Sequence, residues 1–316
     1  MINIFDVICI GAALVDMVAQ VDRYPEKDDE VFVSNLSLFS GGAAANTAYA
    51  CAKLGLKTAF IGKLGRNDIF GSKIIDDFKE GNVETKLIKY SDEFDTGTAY
   101  VALDREGERR IYAYSGAANY LSEEDIIEEE VTNTNLLFLS SLKNVESFIK
   151  AAVIGKRNKI PIILNPGMLI IEQGLPNIEN LIKAIDVLII SQREFKILTK
   201  FKKKILNPKT VKEDSNKIFS SGVSAIIITM GKSGALIVTP EIADLIPAIK
   251  IDNVKDTTGA GDAFSAGFIY GFHQSPGFNF DNLKNNVRFG NYIAGKCIEK
   301  LGARNGIPRR EEIALQ

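Results

Sequence analysis

The sequence predicts an α/β protein built on a largely parallel sheet, and three observations carry that expectation. Short β-branched runs at 7–11, 58–61, 136–140, 160–164, 187–190, 225–229 and 235–238 alternate with longer amphipathic stretches along the chain, the pattern of strands joined by helical crossovers. The runs are almost wholly apolar, as strands buried on both faces must be. Finally, 316 residues of which 46% are hydrophobic and 25% charged provide ample core for one large α/β domain or for two smaller ones.

Taken in order, the first run (7–11) is followed by Asp22-Arg23-Tyr24-Pro25, a charged stretch and Val31-Phe32-Val33. That composition predicts further strand, of antiparallel character, within the first 40 residues. The stretch 43–54 is rich in small and apolar residues, ends at Gly55 and leads straight into the run at 58–61, so it reads as a helix with a glycine stop. From 98 to 115 two apolar–aromatic runs flank Asp104-Arg105-Glu106-Gly107, which predicts a hairpin. Inserted strands around 12–40 and 96–116 therefore form a small β subdomain on a single α/β body spanning 1–316. Such an insertion serves equally well as a lid or as a structural appendage. The lysine-rich 200–204 reads as a solvated helix end in a balanced chain.

Charge and composition exclude several function classes. With 38 Lys and Arg against 40 Asp and Glu, the net charge of −2 gives no basic field to hold a nucleic-acid backbone. The apolar runs are far shorter than the roughly 20 residues a membrane helix needs. The N-terminus lacks the basic start of a secretory signal, so the expected location is the cytoplasm. Cys9, Cys51 and Cys297 are odd in number and widely spaced, fitting neither a disulfide framework nor a zinc site. His273 is the only histidine, which disfavours triads and multi-histidine metal centres.

Two segments carry chemistry. In Asp256-Thr257-Thr258-Gly259-Ala260-Gly261-Asp262, glycines precede an apolar helical run, so unpaired N–H groups and the helix dipole would face the loop and favour an anion. Asp262 beside such an anion is suited to act as general base toward an attacking hydroxyl; the alternative is a helix-capping carboxylate with glycines that merely turn the chain. In Ser40-Gly41-Gly42-Ala43-Ala44-Ala45-Asn46, paired glycines lead into a helix whose first turn carries only small side chains and Asn46. That leaves room for a ligand and an amide for its hydroxyls, or else serves tight helix-to-sheet packing. Two superficial matches fail: Gly231-Lys232-Ser233 lacks the leading glycine of a phosphate-binding loop, where Ile226 stands, and Gly259-Ala260-Gly261 has Phe264 in place of the last glycine of a dinucleotide fingerprint.

These two segments resemble the paired signatures of the ribokinase-like (PfkB-type) carbohydrate kinases. The elements between them follow in order: 62–68 with Gly71, Thr96-Gly97-Thr98, Asn165-Pro166-Gly167 and 229–234. The resemblance covers essentially the whole chain. It implies a Rossmann-like three-layer sandwich with a small β-sheet lid, and a kinase using ATP and Mg2+. It implies Asp262 as catalytic base and Gly259, Ala260 and Gly261 as the anion hole. It also implies Asp16, Gly41, Gly42 and Asn46 as the sugar-binding set. On the nucleotide side it implies Ser191, Glu194, Thr229, Gly231, Gly234 and Asn291, with Glu194 organising Mg2+ through water. Asp256 and Thr258 match part of a site for a monovalent cation such as K+. A homodimer through the lid is a further expectation.

The departures bear on substrate. Ser191 replaces the asparagine usual in the N-x-x-E element, and Leu14 and Ala43 replace an asparagine and a lysine usual in ribokinases proper. Their loss removes two polar partners for a sugar and leaves a more apolar pocket that a base could fill. The expectation is a sugar kinase acting on a hydroxymethyl group, with a nucleoside kinase as the alternative and a non-catalytic ligand-binding homologue third.

Overall fold

The apolar runs become central strands because they are buried from both sides: all residues of Val7–Gly11, Thr58–Ile61, Leu137–Ser140 and Ala235–Val238 are buried. A computed structural model describes residues 4–106 and 108–313 of the chain. Among the described residues nine strands form the main sheet in the spatial order Ala243–Ile246, Ala235–Val238, Ala225–Thr229, Val187–Ser191, Ile162–Asn165, Leu137–Ser140, Val7–Gly11, Thr58–Ile61 and Val83–Glu84. The strands from Ala225–Thr229 to Val83–Glu84 run parallel, and the other two are antiparallel additions at one edge.

Side chains alternate between two cores. Cys9, Phe60, Phe138, Ile163, Ile189 and Ile227 belong to one, with residues of helices Ala43–Lys53, Ala260–Gln274 and Phe280–Cys297. Ile8, Ile10, Leu137, Leu139, Leu188 and Ile226 belong to the other, with residues of helices Glu146–Arg157, Leu175–Lys183 and Pro208–Phe219. The result is the predicted three-layer α/β sandwich. All three cysteines are free and buried. Lys200 ends helix Gln192–Thr199, and Lys202, Lys203 and Lys204 follow it exposed to solvent.

A separate small sheet has the order Asn35–Gly41, Leu14–Gln20, Thr96–Leu103, Arg109–Gly116, in which only the central pair is parallel. The predicted hairpin is its second half; Asp104 Oδ1 accepts from the Glu106 and Glu108 amides, each at 2.9 Å, to hold the turn. Gly107 lies outside the described residues. The antiparallel strand expected within the first 40 residues is present, but its place at 31–33 is a correction. Leu14–Gln20 pairs continuously from Leu14 with Gly41 to Gln20 with Asn35, so the partner positions are taken by 35–41. Residues 31–33 remain an irregular segment with Phe32 86% exposed.

Candidate active site

Parallel sheets offer ligands a crevice where successive strands depart to opposite sides. Here that point lies between Val7–Gly11 and Leu137–Ser140, since the chain fills one side with Thr58–Ile61 and Val83–Glu84 before crossing to the other. The ladders align Gly11, Ser140 and Asn165 at the carboxyl ends of three adjacent strands. A Cβ at Gly11 would stand 2.0 Å from the Ser140 carbonyl oxygen and 2.6 Å from Ala44 Cβ, so the early helix starts at this crevice. Asn165 Nδ2 donates to Ser265 Oγ at 3.2 Å, bringing helix Ala260–Gln274 to the same place.

The late glycine loop has two kinds of glycine. Gly259 caps the helix with φ 75° and is pressed against Ala303, which a Cβ would meet at 2.4 Å. Around Gly261, beyond its own helix, no atom of the described residues lies within 4 Å of an added Cβ. The N-terminal amides of this 15-residue helix have no side-chain cap, so they retain their capacity for an anion. Asp262 does not cap them: its Oδ2 accepts from Asn46 Nδ2 at 2.9 Å, and its main-chain oxygen accepts from Thr47 Oγ1 at 3.3 Å. Desolvation dominates this half-buried carboxyl, raising its pKa to about 6 against the lowering effects of the Asn46 hydrogen bond and the Arg304 charge.

The early glycine pair is built by close approach. A Cβ at Gly41 would lie 2.5 Å from Asp16 Oδ2, and one at Gly42, whose φ is 94°, would lie 2.4 Å from the Ala12 carbonyl oxygen. Ala44, Ala45 and Ala48 are fully buried against the sheet, while Asn46 faces Asp262; the first turns of this helix thus serve packing and site at once. Burial raises the Asp16 pKa, with Arg304 opposing. Asn46 is engaged on both sides, because its Oδ1 accepts from Arg304 Nε at 2.9 Å.

Arg304 is a site residue that the sequence patterns do not single out. It lies 258 residues from Asn46 in the chain, and no spacing rule links the two; the only local signal is an arginine set between Gly302 and Gly306 just after a helix. Its guanidinium lies over the rings of Tyr49 and Phe78, at 4.9 and 5.8 Å. Burial lowers its pKa to about 10, against the opposing charges of Asp77, Asp262 and Asp16.

On the expected nucleotide side, Ser191 and Glu194 form a reciprocal cap: the Ser191 amide donates to Glu194 Oε2 at 2.6 Å and the Glu194 amide to Ser191 Oγ at 3.2 Å. This leaves Glu194 Oε1 for a hydrated Mg2+, so the residues fit that ion. Thr229 ends its strand, and Gly231, at φ 55°, has nothing within 4 Å of an added Cβ. Gly234 is pinned under the Ile246 carbonyl. Asn291 braces the same segment, its Nδ2 donating to the Ile246 and Pro247 oxygens at 3.1 and 3.0 Å. Beside it is a cleft of about 290 Å³ whose lining includes Ile246, Pro247, Lys284 and Arg288.

The expected cation site looks different. Asp256 Oδ1 accepts from the Thr258 amide and hydroxyl at 2.9 and 2.7 Å, and Oδ2 from the Gly302 amide at 2.9 Å. Arg109, from the small sheet, stands 3.7 Å from Asp256 Oδ1 and donates to Thr258 Oγ1 at 3.4 Å. A monovalent cation on this carboxylate would compete with that guanidinium, so Asp256 and Thr258 as arranged do not fit K+.

Comparison with protein families matches residues 5–310 to the pfkB family carbohydrate kinases. The chain is 31% identical over 310 residues to a ribokinase of Staphylococcus aureus, covering 97% of this chain and 98% of that protein. Its fold superposes on the structure of Arabidopsis thaliana ribokinase complexed with ribose and ATP with a TM-score of 0.86, at 25% identity and covering 97% and 96% of the two chains. It also matches a Methanocaldococcus jannaschii nucleoside kinase with a TM-score of 0.82 at 23% identity, over 98% of this chain and 96% of that one, a likeness of fold alone.

Proposed function

This chain belongs to the pfkB family of carbohydrate kinases and is a phosphotransferase with an alcohol acceptor; on that premise we propose that it transfers the γ-phosphoryl group of ATP to the hydroxymethyl group of a small sugar. The observation that carries the proposal is the Asp262 carboxylate. It is held by Asn46 on the third residue of a helix whose uncapped amides and open Gly261 leave space for a phosphoryl group.

In this scheme Asp16 and the backbone at Gly41 and Gly42 orient the sugar. Asp262 accepts the proton of the hydroxymethyl oxygen as that oxygen bonds to the γ-phosphorus, and the bond from phosphorus to the β–γ bridging oxygen breaks to release ADP. The amides of Gly259, Ala260 and Gly261 face the charge that gathers on the transferred group. Thr229, Gly231, Gly234 and Asn291 border the nucleotide. Glu194 would hold Mg2+ through water, and that ion, when bound, would neutralise charge on the phosphates.

The small sheet acts as a lid hinged on the α/β body, with Arg109 as its contact to the anion-hole loop. The sheet register sets exposed Leu38, Tyr100 and Tyr112 in one row, with exposed Leu36 and Tyr114 in the flanking rows. An apolar sheet face of this kind suits a second copy of the chain; sedimentation showing a monomer at micromolar concentration would reject that. Location in the cytoplasm fits a substrate pair of ATP and sugar, and among the described residues no helix is long and apolar enough to cross a membrane.

A nucleoside acceptor is the second reading, supported by Leu14, whose Cδ1 would lie 3.3 Å from a Cβ at Gly41 and so brings apolar surface beside Asp16. ADP release with ATP against ribose, fructose, 2-keto-3-deoxygluconate, inositol, adenosine, cytidine and guanosine separates the readings. Turnover on a sugar is expected; turnover on nucleosides alone would transfer the assignment to the second reading, and none on any acceptor would refute both.

A further inference from the structure

Arg304 places a group at the site that the proposed chemistry does not yet use. Its Nε is 2.9 Å from Asn46 Oδ1, and Asn46 Nδ2 is 2.9 Å from Asp262 Oδ2, so three side chains from distant parts of the sequence form one line. The two ends of an asparagine amide are nearly isosteric, and only its partners decide which way it faces. A carboxyl group does not decide, since it accepts when ionised and donates when protonated. A guanidinium does, because it only donates and keeps its charge across the working pH range. With Arg304 present, Oδ1 must face the guanidinium and the NH2 group must face Asp262.

The arginine is itself tightly held. Two aromatic rings flank its guanidinium, and both terminal nitrogens are buried without a hydrogen-bond partner among the described residues. A desolvated guanidinium with unmatched donors is costly, and packing alone would be served by an apolar side chain of the same length. What the charge does here is electrostatic: it is shared among Asp16, Asp77 and Asp262.

We propose that Arg304 is a positioning residue for the base: it fixes the Asn46 amide with its NH2 group toward Asp262, which keeps that carboxyl an acceptor aimed at the substrate hydroxyl. This rests on the assignment of Asp262 as base. Without the guanidinium the amide is free to turn and present Oδ1, which would repel the carboxylate and accept from the protonated acid, the form useless for taking a proton. The groups acting on Asp262 besides Arg304 and Asn46 are Thr47, bound to its main-chain oxygen, and the Cys297 thiol, whose own pKa is pushed up to about 12 by burial and then by Asp262 and Asp256.

The test follows the Asp262 carboxyl by carbon-13 NMR, assigned by its loss in Asp262→Asn, in wild type and in Arg304→Lys, Arg304→Gln and Arg304→Met. The expected order of titration midpoints is wild type, Lys, Gln, Met, with Met displaced upward by about one pH unit or more. In the variants that turn over, the acid limb of kcat against pH should move by the same amount while KM for ATP stays within about twofold. At pH 6 the kcat of Arg304→Met should fall roughly tenfold or more. Should Met prevent folding, the Gln and Lys variants carry the comparison. An arginine acting by its charge alone would raise the midpoint in Gln and Met but leave Lys at the wild-type value, and a merely structural one would lower stability in all three and move no midpoint; either pattern in folded variants overturns the proposal. Because the titration needs no acceptor sugar, a panel that releases no ADP would refute the assigned function without touching this result.

Discussion

Helices Ala43–Lys53 and Ala260–Gln274 both begin at glycines beside the same crevice, yet a methyl group added to those glycines would meet different things. At Gly41 and Gly42 it would strike Asp16 and the main chain of Ala12, and at Gly42 the positive φ adds strain. At Gly261 it would strike nothing within 4 Å, and φ there is not in the left-handed region. The first pair is glycine because the protein needs the space. Gly261 is glycine although nothing packed against its helix demands it among the described residues, which is what a close-approaching phosphoryl group would leave behind. Gly259 stands between the two cases, held by its φ of 75° and by Ala303.

The comparison is broken most severely at the residue that joins the two helices. Asp262→Asn keeps the size of the side chain and should lower kcat by about 10²- to 10⁴-fold, with ATP affinity measured by calorimetry unchanged. Next come the glycines themselves. Gly42→Ala should cost about 2–4 kcal/mol through strain and collision, read as a fall in denaturation midpoint. Gly261→Ala should leave that midpoint unchanged and reduce kcat about 10- to 100-fold by crowding the transferred group. If instead Gly261→Ala unfolds the protein while Gly42→Ala does not, the contrast is wrong.

A third consequence is smaller at neutral pH. Only the ionised form of Asp262 can take a proton, and burial holds its pKa at about 6. The rate therefore falls as pH drops through about 6, tenfold per unit below it, and is flat above; an unshifted carboxyl would hold its rate to about pH 4. The pH profile of kcat/KM at saturating ATP checks this. The smallest effect concerns Arg109, half exposed where it meets Asp256. Arg109→Ala should change stability by less than about 1 kcal/mol, and it should make turnover respond to added K+, because it removes the charge competing for Asp256. Identical K+ dependence in both proteins would contradict the competition.

Much of the fold is legible in the amino-acid sequence. The runs at 7–11, 58–61, 225–229 and 235–238 match observed strands end to end, because a strand buried on both faces leaves an unbroken apolar record. The segment at 31–33 misled for the converse reason. Its residues have the composition of a strand, but pairing is decided by a partner, and Leu14–Gln20 had its partner in 35–41. Asp262 and the glycines were visible because they are contiguous. Arg304 was not, since its role comes from a contact with Asn46 across the whole fold, and a lone arginine in a loop has no periodicity to announce it. Asn291 stands where the family pattern places a nucleotide contact, and its amide also braces the main chain at Ile246 and Pro247, a use that leaves no mark on spacing.

In the proposed reaction Asp262, at the N-terminus of an uncapped helix, takes the proton from a sugar hydroxyl. The most direct measurement is a single-turnover transfer of labelled phosphate from ATP to the best sugar of the panel, run side by side for wild type and Asp262→Asn with ATP bound to saturation in both. The wild type should yield a sugar phosphate labelled at its hydroxymethyl group, and the variant a rate lower by at least about 10²-fold. Equal rates in the two proteins would contradict it.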